Sequence, residues 1–414
     1  MGTPLRRETD FGPSEWSKWA DGLAGPGPTD DKTRSMSALK KPIRVLITAP
    51  KYIIAGHNQQ ALDLIANLRR DYGVDAALQP IDPILPRPFR VRYVRTVVKL
   101  IYYTAQLLAR VPKYDVVQAY SAGMSSYLLS TLPALFASRL WRRPFLLYYA
   151  DGRVSEHLAT SGIAAPTMRM ATVIVAASPD IGAVMAGRGL TARVIPTAVN
   201  RAIRYRARRN LQPRLMTNRS LEPLYNHPCI FRAFARVQQK YPDAELVVGS
   251  DGFLRASLEK LARDMGLRNC RFTGVLPIED VPKVYDDAEI YLTSPNVDGT
   301  PASILECFQA GLPVIATRAG GVPYMIDDGR TGLLVNIDDD RAMAECAIRL
   351  LEDPDLVERM TAAARAEAPQ YFWDRIAASW NQLYEEVVGT SPGTAADAVV
   401  RVTSDNPRHR LDAA

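Results

Sequence analysis

Two acids separated by seven residues, Asp298 and Glu306, stand in the stretch that runs from Ser294 to Gly332. Between them lies Gly299-Thr300-Pro301-Ala302-Ser303-Ile304-Leu305, a turn that becomes a helix. Pro301 suits the first helical turn. The amides at a helix start form a cradle for a phosphate-sized anion. Here that cradle falls on Ala302 and Ser303, with Gly299 and Thr300 on the approach to it. A carboxylate beside an anion cradle is poorly suited to the anion itself. It is well suited to accept hydrogen bonds from sugar hydroxyls. Glycine at 299 lets the backbone come close to a ligand.

The flanking elements must hold this loop in place. An apolar strand, Glu289-Ile290-Tyr291-Leu292-Thr293, precedes it, and Gly311 ends the helix before a second buried strand, Pro313-Val314-Ile315-Ala316. Strand, loop, helix, strand places the loop at the carboxyl edge of a parallel sheet. The same alternation runs through most of the chain. A first strand, Ile43 to Thr48, leads through Gly56-His57-Asn58 into a helix from Gln59 to Arg70. Its apolar positions Leu62, Ile65, Ala66 and Leu68 give it one buried face. No G-x-G-x-x-G follows that strand, which weakens a nicotinamide reading. Further strands are expected at Tyr114–Tyr120, Pro144–Tyr149, Thr172–Ala177 and Val194–Asn200, with a helix from Ser125 to Leu140. In the second half the pattern predicts a helix over His227–Lys240, a strand at Glu245–Gly249, a turn at Gly274-Val275, and a terminal helix over Tyr371–Val388. The basic run Arg201 to Arg209 reads as an exposed hinge.

The Asp298…Glu306 stretch resembles the carboxy-terminal half of family-4 glycosyltransferases of the GT-B fold. That family carries two acids in an E-x7-E spacing. The surrounding pattern matches as well: Gly311-x-Pro313-Val314, then Ala319-Gly320-Gly321-Val322-Pro323, then Asp328-Gly329-x-Thr331-Gly332. The detailed likeness covers Pro213 to Leu351. It implies an α/β chain with two Rossmann-like domains, their parallel sheets facing a central cleft, and a C-terminal helix crossing back to the first domain. The expected division is an arm over 1–40, an acceptor domain over 41–200 with a returning helix over 372–388, a hinge over 201–212, a donor domain over 213–371 and a tail over 389–414.

The resemblance further implies a hexosyltransferase-type enzyme. It would move a sugar, with retention, from a nucleotide-diphosphate sugar to a sugar, lipid-linked or small-molecule acceptor. No metal and no resident cofactor are expected. Glu306 would accept from the ribose hydroxyls, Asp298 would grip the transferred sugar, and Arg219 would offset charge on the leaving diphosphate. Gly56 corresponds to the family's glycine-containing donor loop, and Gly274 and Val275 to the turn that meets the base. The sequence departs from the family in two places. A lysine expected shortly after Arg219 is replaced by Leu224-Tyr225-Asn226. A histidine expected at the end of the Pro144–Tyr149 strand is replaced by Ala150 with Asp151 beside it, so Asp151 becomes the acid on that side. His157, a few residues on, either supplies the missing imidazole or caps a loop. These departures favour the alternative of a weak or inactive GT-B scaffold that binds a partner or membrane. A sugar-nucleotide epimerase or hydrolase on the same fold is a third reading.

Composition narrows the partners. The 414 residues suit two domains, and the four cysteines, widely spaced, read as reduced thiols in the cytoplasm. No apolar run is long enough to span a bilayer, and the amino terminus lacks a signal peptide's apolar core. The net charge of +7 hides an asymmetry: residues 1–210 carry 30 Lys/Arg against 14 Asp/Glu, and residues 211–414 carry 21 against 30. A strongly basic half suits an anionic membrane leaflet, a phosphorylated acceptor or nucleic acid. No nucleic-acid module accompanies it, so nucleic acid is not expected as a partner. Within that half, Arg87 to Tyr103 mixes Arg90, Arg92, Arg95 and Lys99 with Phe89, Tyr93, Val97, Ile101 and Tyr102. Such a segment either lies in a bilayer interface or packs on a core with a solvated basic edge. The first option makes the expected location peripheral, on the inner face of the membrane.

Overall fold

The computed structural model describes residues 41–51, 56–83, 94–121, 123–199, 203–277 and 280–389. The arm expected over 1–40 lies outside these residues. So do loop residues 52–55, the basic and aromatic positions 84–93, hinge residues 201–202, and all of the expected tail except Gly389. The described chain forms two compact units, one of residues 41–198 with 376–389 and one of Val199–Arg375.

The first unit is built on β1 (Arg44–Ala49), α1 (Gly56–Tyr72), β2 (Asp75–Pro80), α2 (Val94–Arg110) and β3 (Val116–Ser121). A helical run follows, made of a turn at Met124–Ser126, a π-helical segment Tyr127–Thr131 and α3 (Leu132–Leu140). Then come β4 (Phe145–Tyr149), α4 (Val154–Thr160), β5 (Val173–Ala176), α5 (Pro179–Ala186) and β6 (Ala192–Val194). The six strands are parallel, in the order β2-β1-β3-β4-β5-β6. Every residue of β3 and β4 is buried, so these strands do not alternate between apolar and exposed polar positions, and β3 hides the polar Gln118 and Ser121 with the rest. Each buried Val, Leu or Ile in them contributes about 1.5–3 kcal/mol.

Two features differ from the sequence expectation. The strand expected over Val194–Asn200 ends at Val194, because Pro196 has no N–H for a ladder. The helix expected over Ser125–Leu140 contains the π-helical segment, which hydrophobic spacing does not show.

The second unit repeats the plan with β7 (Arg214–Thr217), α6 (His227–Lys240), β8 (Glu245–Val248), α7 (Arg255–Asp264), β9 (Cys270–Phe272), α8 (Val281–Asp287) and β10 (Ile290–Thr293). It continues with α9 (Ala302–Ala310), β11 (Val314–Thr317), β12 (Leu333–Val335), α10 (Asp340–Glu352) and α11 (Pro354–Glu367). Its strands are again parallel, in the order β12-β11-β10-β7-β8-β9. The direction in which the chain adds strands to this sheet reverses between β7 and β10. In open α/β sheets that crevice, outside the carboxyl ends of the strands, is where ligands bind.

Helix α12 (Trp373–Gly389) ends the described chain, and from Ile376 onward it belongs to the first unit. There Tyr384 donates to the buried Gln118 Oε1 of β3, and the Trp380 ring lies 5.6 Å from that of Tyr148.

Arg208 corrects the reading of 201–209 as an exposed run. Its side chain is completely buried. The guanidinium donates to the carbonyls of Tyr285 at 2.7 Å, Ala288 at 3.0 Å and Ala310 at 2.6 Å. These carbonyls lie at the carboxyl ends of α8 and α9, where orphan acceptors and the helix dipole both favour a cation. Burial pushes its pKa down to about 10, which still leaves it charged at neutral pH.

Candidate active site

The loop after β10 and the loop after β7 meet at the reversal point of the second sheet. Ser294 Oγ donates to the carbonyl of Asn226 at 2.8 Å, and the Asn296 amide donates to Leu224 O at 2.8 Å. Asn226 makes this turn in the left-handed region, with φ of 42°. Behind the same loop, Thr317 Oγ1 on β11 donates to Pro295 O at 2.6 Å. These bonds carry Asp298 to Arg219. Arg219 Nη2 donates to Asp298 Oδ2 at 2.6 Å, and both side chains are mostly buried. The guanidinium also lies over the Tyr225 ring, 4.3 Å from its centroid, an arrangement that holds a planar cation flat. Burial opposes the charge on Arg219, but the Asp298 carboxylate outweighs it and raises the pKa further.

The glycines of the 319–321 run have a steric reason. Gly320 has φ of +53°, and a Cβ placed there would lie 2.2 Å from the Asp298 carbonyl oxygen. The Gly321 amide donates to that oxygen at 2.9 Å. Only glycine permits this approach. Asp298 is thus fixed through its backbone by the β11 side and through its carboxylate by the β7 side. Its Oδ1 also accepts from the Gly299 amide at 2.9 Å.

Helix α9 begins beside this pair. Pro301, expected inside the first helical turn, is instead the N-cap, with extended ψ of 109° and no side chain to satisfy the first amides. The amide end at Ala302 and Ser303 therefore has no side-chain cap from that residue. Glu306 lies on the same helix and is 7% exposed. Its Oε2 accepts from the Tyr285 hydroxyl at 2.7 Å. Tyr285 in turn accepts from Asn218 Nδ2 at 2.7 Å, and Asn218 Oδ1 accepts from Tyr291 at 2.8 Å. The Tyr291 hydroxyl also lies 2.9 Å from Ser303 Oγ. A continuous polar chain thus runs from Glu306 to Ser303 beneath the start of α9. Burial, followed by the nearby Glu306 charge, pushes the Tyr285 pKa well up, so the phenol stays a donor.

Gly274 and Val275 lie at the carboxyl end of β9 in the same sheet. Gly274 has φ of +78° and Val275 is exposed. Beside them Asp251 accepts from the Gly252 amide at 2.7 Å and from Arg255 at 3.0 Å. The structure therefore gathers Arg219, Asp298, Gly299, Thr300, Ala302, Ser303 and Glu306 around one loop, with Gly274 and Val275 on the adjoining edge.

Gly56 and Asp151 belong to the first unit. Gly56 is the first residue of α1. Asp151 follows β4, where it accepts from the Gly123 amide at 2.9 Å and from Arg153 Nη2 at 2.9 Å. Burial alone would raise the Asp151 pKa, and the bonds from Arg153 and Gly123 overcome it and hold the group below the usual carboxylate range. His157 is buried, with Nδ1 2.9 Å from the Tyr149 hydroxyl and its ring stacked on that of Tyr149. Burial lowers its pKa, which favours the neutral imidazole.

Asn218, Tyr225, Tyr285 and Tyr291 are the site neighbours that sequence reasoning does not single out. An Asn directly before the key arginine was the available signal. A tyrosine inside an apolar strand or helix otherwise reads as core. His227, the first residue of α6, is also buried, and burial pushes its pKa down to about 4.

Residues 206–367 match the family model described as Glycosyl transferases group 1. The matched segment includes the whole Arg219, Asp298 and Glu306 arrangement. D-inositol 3-phosphate glycosyltransferase of Corynebacterium jeikeium is 33% identical over 175 residues, 40% of this chain and 42% of that protein. Alpha-D-kanosaminyltransferase of Streptomyces kanamyceticus is 32% identical over 157 residues, 37% of this chain and 41% of that one. The chain thus spans less than half the length of these relatives. Among solved structures, sucrose-phosphate synthase of Thermosynechococcus elongatus superposes with a TM-score of 0.66 at 18% identity, covering 84% of this chain and all of that one. Anabaena Alr3699/HepE in complex with UDP and glucose superposes with a TM-score of 0.64 at 16% identity and the same coverage. The fold is therefore α/β of the GT-B type.

Proposed function

We propose that this chain is a glycosyltransferase that takes its sugar from a nucleotide-diphosphate donor. The single observation that carries the reading is the Arg219–Asp298 pair at the sheet's reversal point, beside the α9 amide end and the buried Glu306. Residues of the second unit hold the donor. The α9 amides at Ala302 and Ser303 receive the distal phosphate, with Thr300 at the entrance. Glu306, kept in place by Tyr285, accepts from the ribose hydroxyls. Gly274 and Val275 border the base. Asp298 orients hydroxyls of the transferred sugar, and Gly299 allows the donor to approach the backbone.

As the anomeric bond breaks, negative charge builds on the leaving diphosphate. Arg219 stabilises it, a preorganised electrostatic effect worth about 3–4 kcal/mol for one well-placed donor. Arg219 and the helix amides perform the role that a metal performs elsewhere, so turnover requires no metal. The family resemblance assigns Gly56 to the loop that serves the donor diphosphate. Asp151, held ionised by Arg153, is the acid on the acceptor side. The acceptor is a hydroxyl of a sugar, lipid-linked or small molecule, and the product keeps the donor's anomeric configuration. The partial relatives named as sugar transferases and the UDP-containing fold neighbour support this class over the inactive-scaffold alternative.

The test is a thermal-shift panel of nucleotide-diphosphate sugars, followed by NMR of the product's anomeric configuration in chelator. The reading expects one donor to raise the Tm, and retained configuration with chelator present. No stabilising donor in the panel, or an inverted product, contradicts it.

A further inference from the structure

The first unit carries an apolar surface that its own core does not use. Helix α2 turns Tyr103 and Leu107 fully inward, as a sheet-covering helix must. Its opposite face is apolar too: Val97 is 57% exposed and Ile101, one turn on, is 64% exposed. Helix α3 packs beside α2, and Tyr103 of α2 donates to Ser130 O in the run that leads into α3. That neighbour repeats the pattern. Phe136 and Leu140 of α3 are 52% and 66% exposed, Leu129 of the π-helical segment before it is exposed too, and Trp141 follows at its end. Single exposed apolar residues are ordinary. Two adjacent helices with apolar outward faces mark a contact surface.

Charge identifies what that surface fits. Between Asp82 and Asp151 the sequence holds ten Lys/Arg and one carboxylate, Asp115. Asp115 pairs with Arg44 at 2.9 Å. Neither α2 nor α3 carries an acid. Exposed Arg95, Arg139 and Arg142 accompany the apolar positions. Large apolar and aromatic groups bordered by cations, without carboxylates, complement an anionic bilayer surface. Among the described residues no helix is long and apolar enough to cross a membrane, so such a contact would lie on one leaflet.

We propose that the outward faces of α2 and α3 together dock this unit on an anionic lipid leaflet. Val97, Ile101, Leu129, Phe136, Leu140 and Trp141 enter the boundary between headgroups and acyl chains, and Arg95, Arg139 and Arg142 meet lipid phosphates. The surface is separate from the donor site and does not depend on its chemistry.

The test is flotation of the full chain with phosphatidylcholine vesicles, with and without phosphatidylglycerol, at low and high salt. Binding is expected only with the anionic lipid and is expected to weaken with salt. Arg139→Gln with Arg142→Gln should weaken partition about thirtyfold, at roughly one kcal/mol per cation near an anionic surface. Ile101→Glu with Phe136→Glu should abolish it. Both pairs lie at exposed positions and should keep the wild-type circular dichroism, with Arg139→Gln giving up only the bond from its guanidinium to the Met170 carbonyl. The proposal is overturned by no flotation with anionic vesicles, by equal binding to neutral ones, or by folded variants that bind like wild type. It is also overturned if the chain is a dimer that the Glu variant splits while vesicles are ignored. Donor affinity, measured without lipid, reports separately on the catalytic reading.

Discussion

Each unit places an aspartate–arginine pair at the carboxyl edge of its sheet, and the two pairs are built in opposite ways. Asp151 and Arg153 are two residues apart, and Arg153 is 41% exposed. Their pairing needs only a local turn after β4. Asp298 and Arg219 are 79 residues apart and come from loops on either side of the chain reversal. Their pairing needs the strand order, the Gly320 approach and the bonds from Ser294 and Asn296 to the 224–226 turn. A local pair mainly shapes its own loop, and its exposed half is screened by water. A pair assembled across the fold fixes two distant backbones relative to each other, at the place where open α/β sheets bind ligands. The same residue types therefore carry different weight. In the proposed reaction the distant pair is the donor-binding device, and the local pair positions one acid of the first unit.

That contrast can be broken by experiment. Arg219→Ala should lower kcat about 100- to 1000-fold, the cost of removing one preorganised donor to a developing anion. Arg219→Lys should recover only part of it, because a point charge cannot replace the planar fork stacked on Tyr225. A matching loss from Arg153→Ala would erase the distinction between the pairs. Asp151→Asn should raise the acceptor KM about tenfold and leave donor affinity unchanged, as measured by separate acceptor and donor titrations.

A second prediction sharpens the energetic side of the donor unit. His227 has a folded pKa of about 4 against an ordinary value of 6.5. Between those values the unfolded chain binds a proton that the folded chain refuses. Stability due to this group is thus complete above pH 6.5 and falls as pH drops toward 4, by about 3 kcal/mol in all. Denaturant melts from pH 7 to 4.5 should show this slope, and His227→Gln should flatten it. An unchanged slope in the variant would show that another group is responsible.

The smallest effect concerns Tyr285. Removing its hydroxyl with Tyr285→Phe leaves Glu306 in place but loosens it, at a cost of about 1–1.5 kcal/mol, or roughly tenfold in donor Kd. The Phe variant should keep kcat near wild type at saturating donor. A fall in kcat with unchanged Kd would move Tyr285 from positioning Glu306 to some other role.

Much of this architecture is legible from residues alone. Continuous apolar strands and glycine-terminated helices are local signals, so β10, α9 and β11 are readable, and the spacing of Asp298 and Glu306 follows from them. Pairing across long separation is not readable. Nothing near Arg219 names Asp298 as its partner, and Arg208 sits in a run of arginines whose composition suggests solvent although its own side chain closes the ends of two helices. Polar groups hidden in apolar elements are also lost, as with Tyr285 and Tyr291, because hydrophobic periodicity treats the ring and ignores the hydroxyl. The extended Pro301 N-cap is a smaller miss of one position, at a helix end where local signals fix the boundary least tightly.

The most direct measurement is isothermal titration of the stabilising nucleotide-diphosphate sugar into the wild-type chain and the Glu306→Ala and Arg219→Ala variants. The account predicts measurable wild-type binding that weakens at least tenfold in each variant, with their folds intact by circular dichroism. Wild-type affinity in both variants would contradict it, because the loop joining Asp298, Arg219 and Glu306 would then not be where the donor binds.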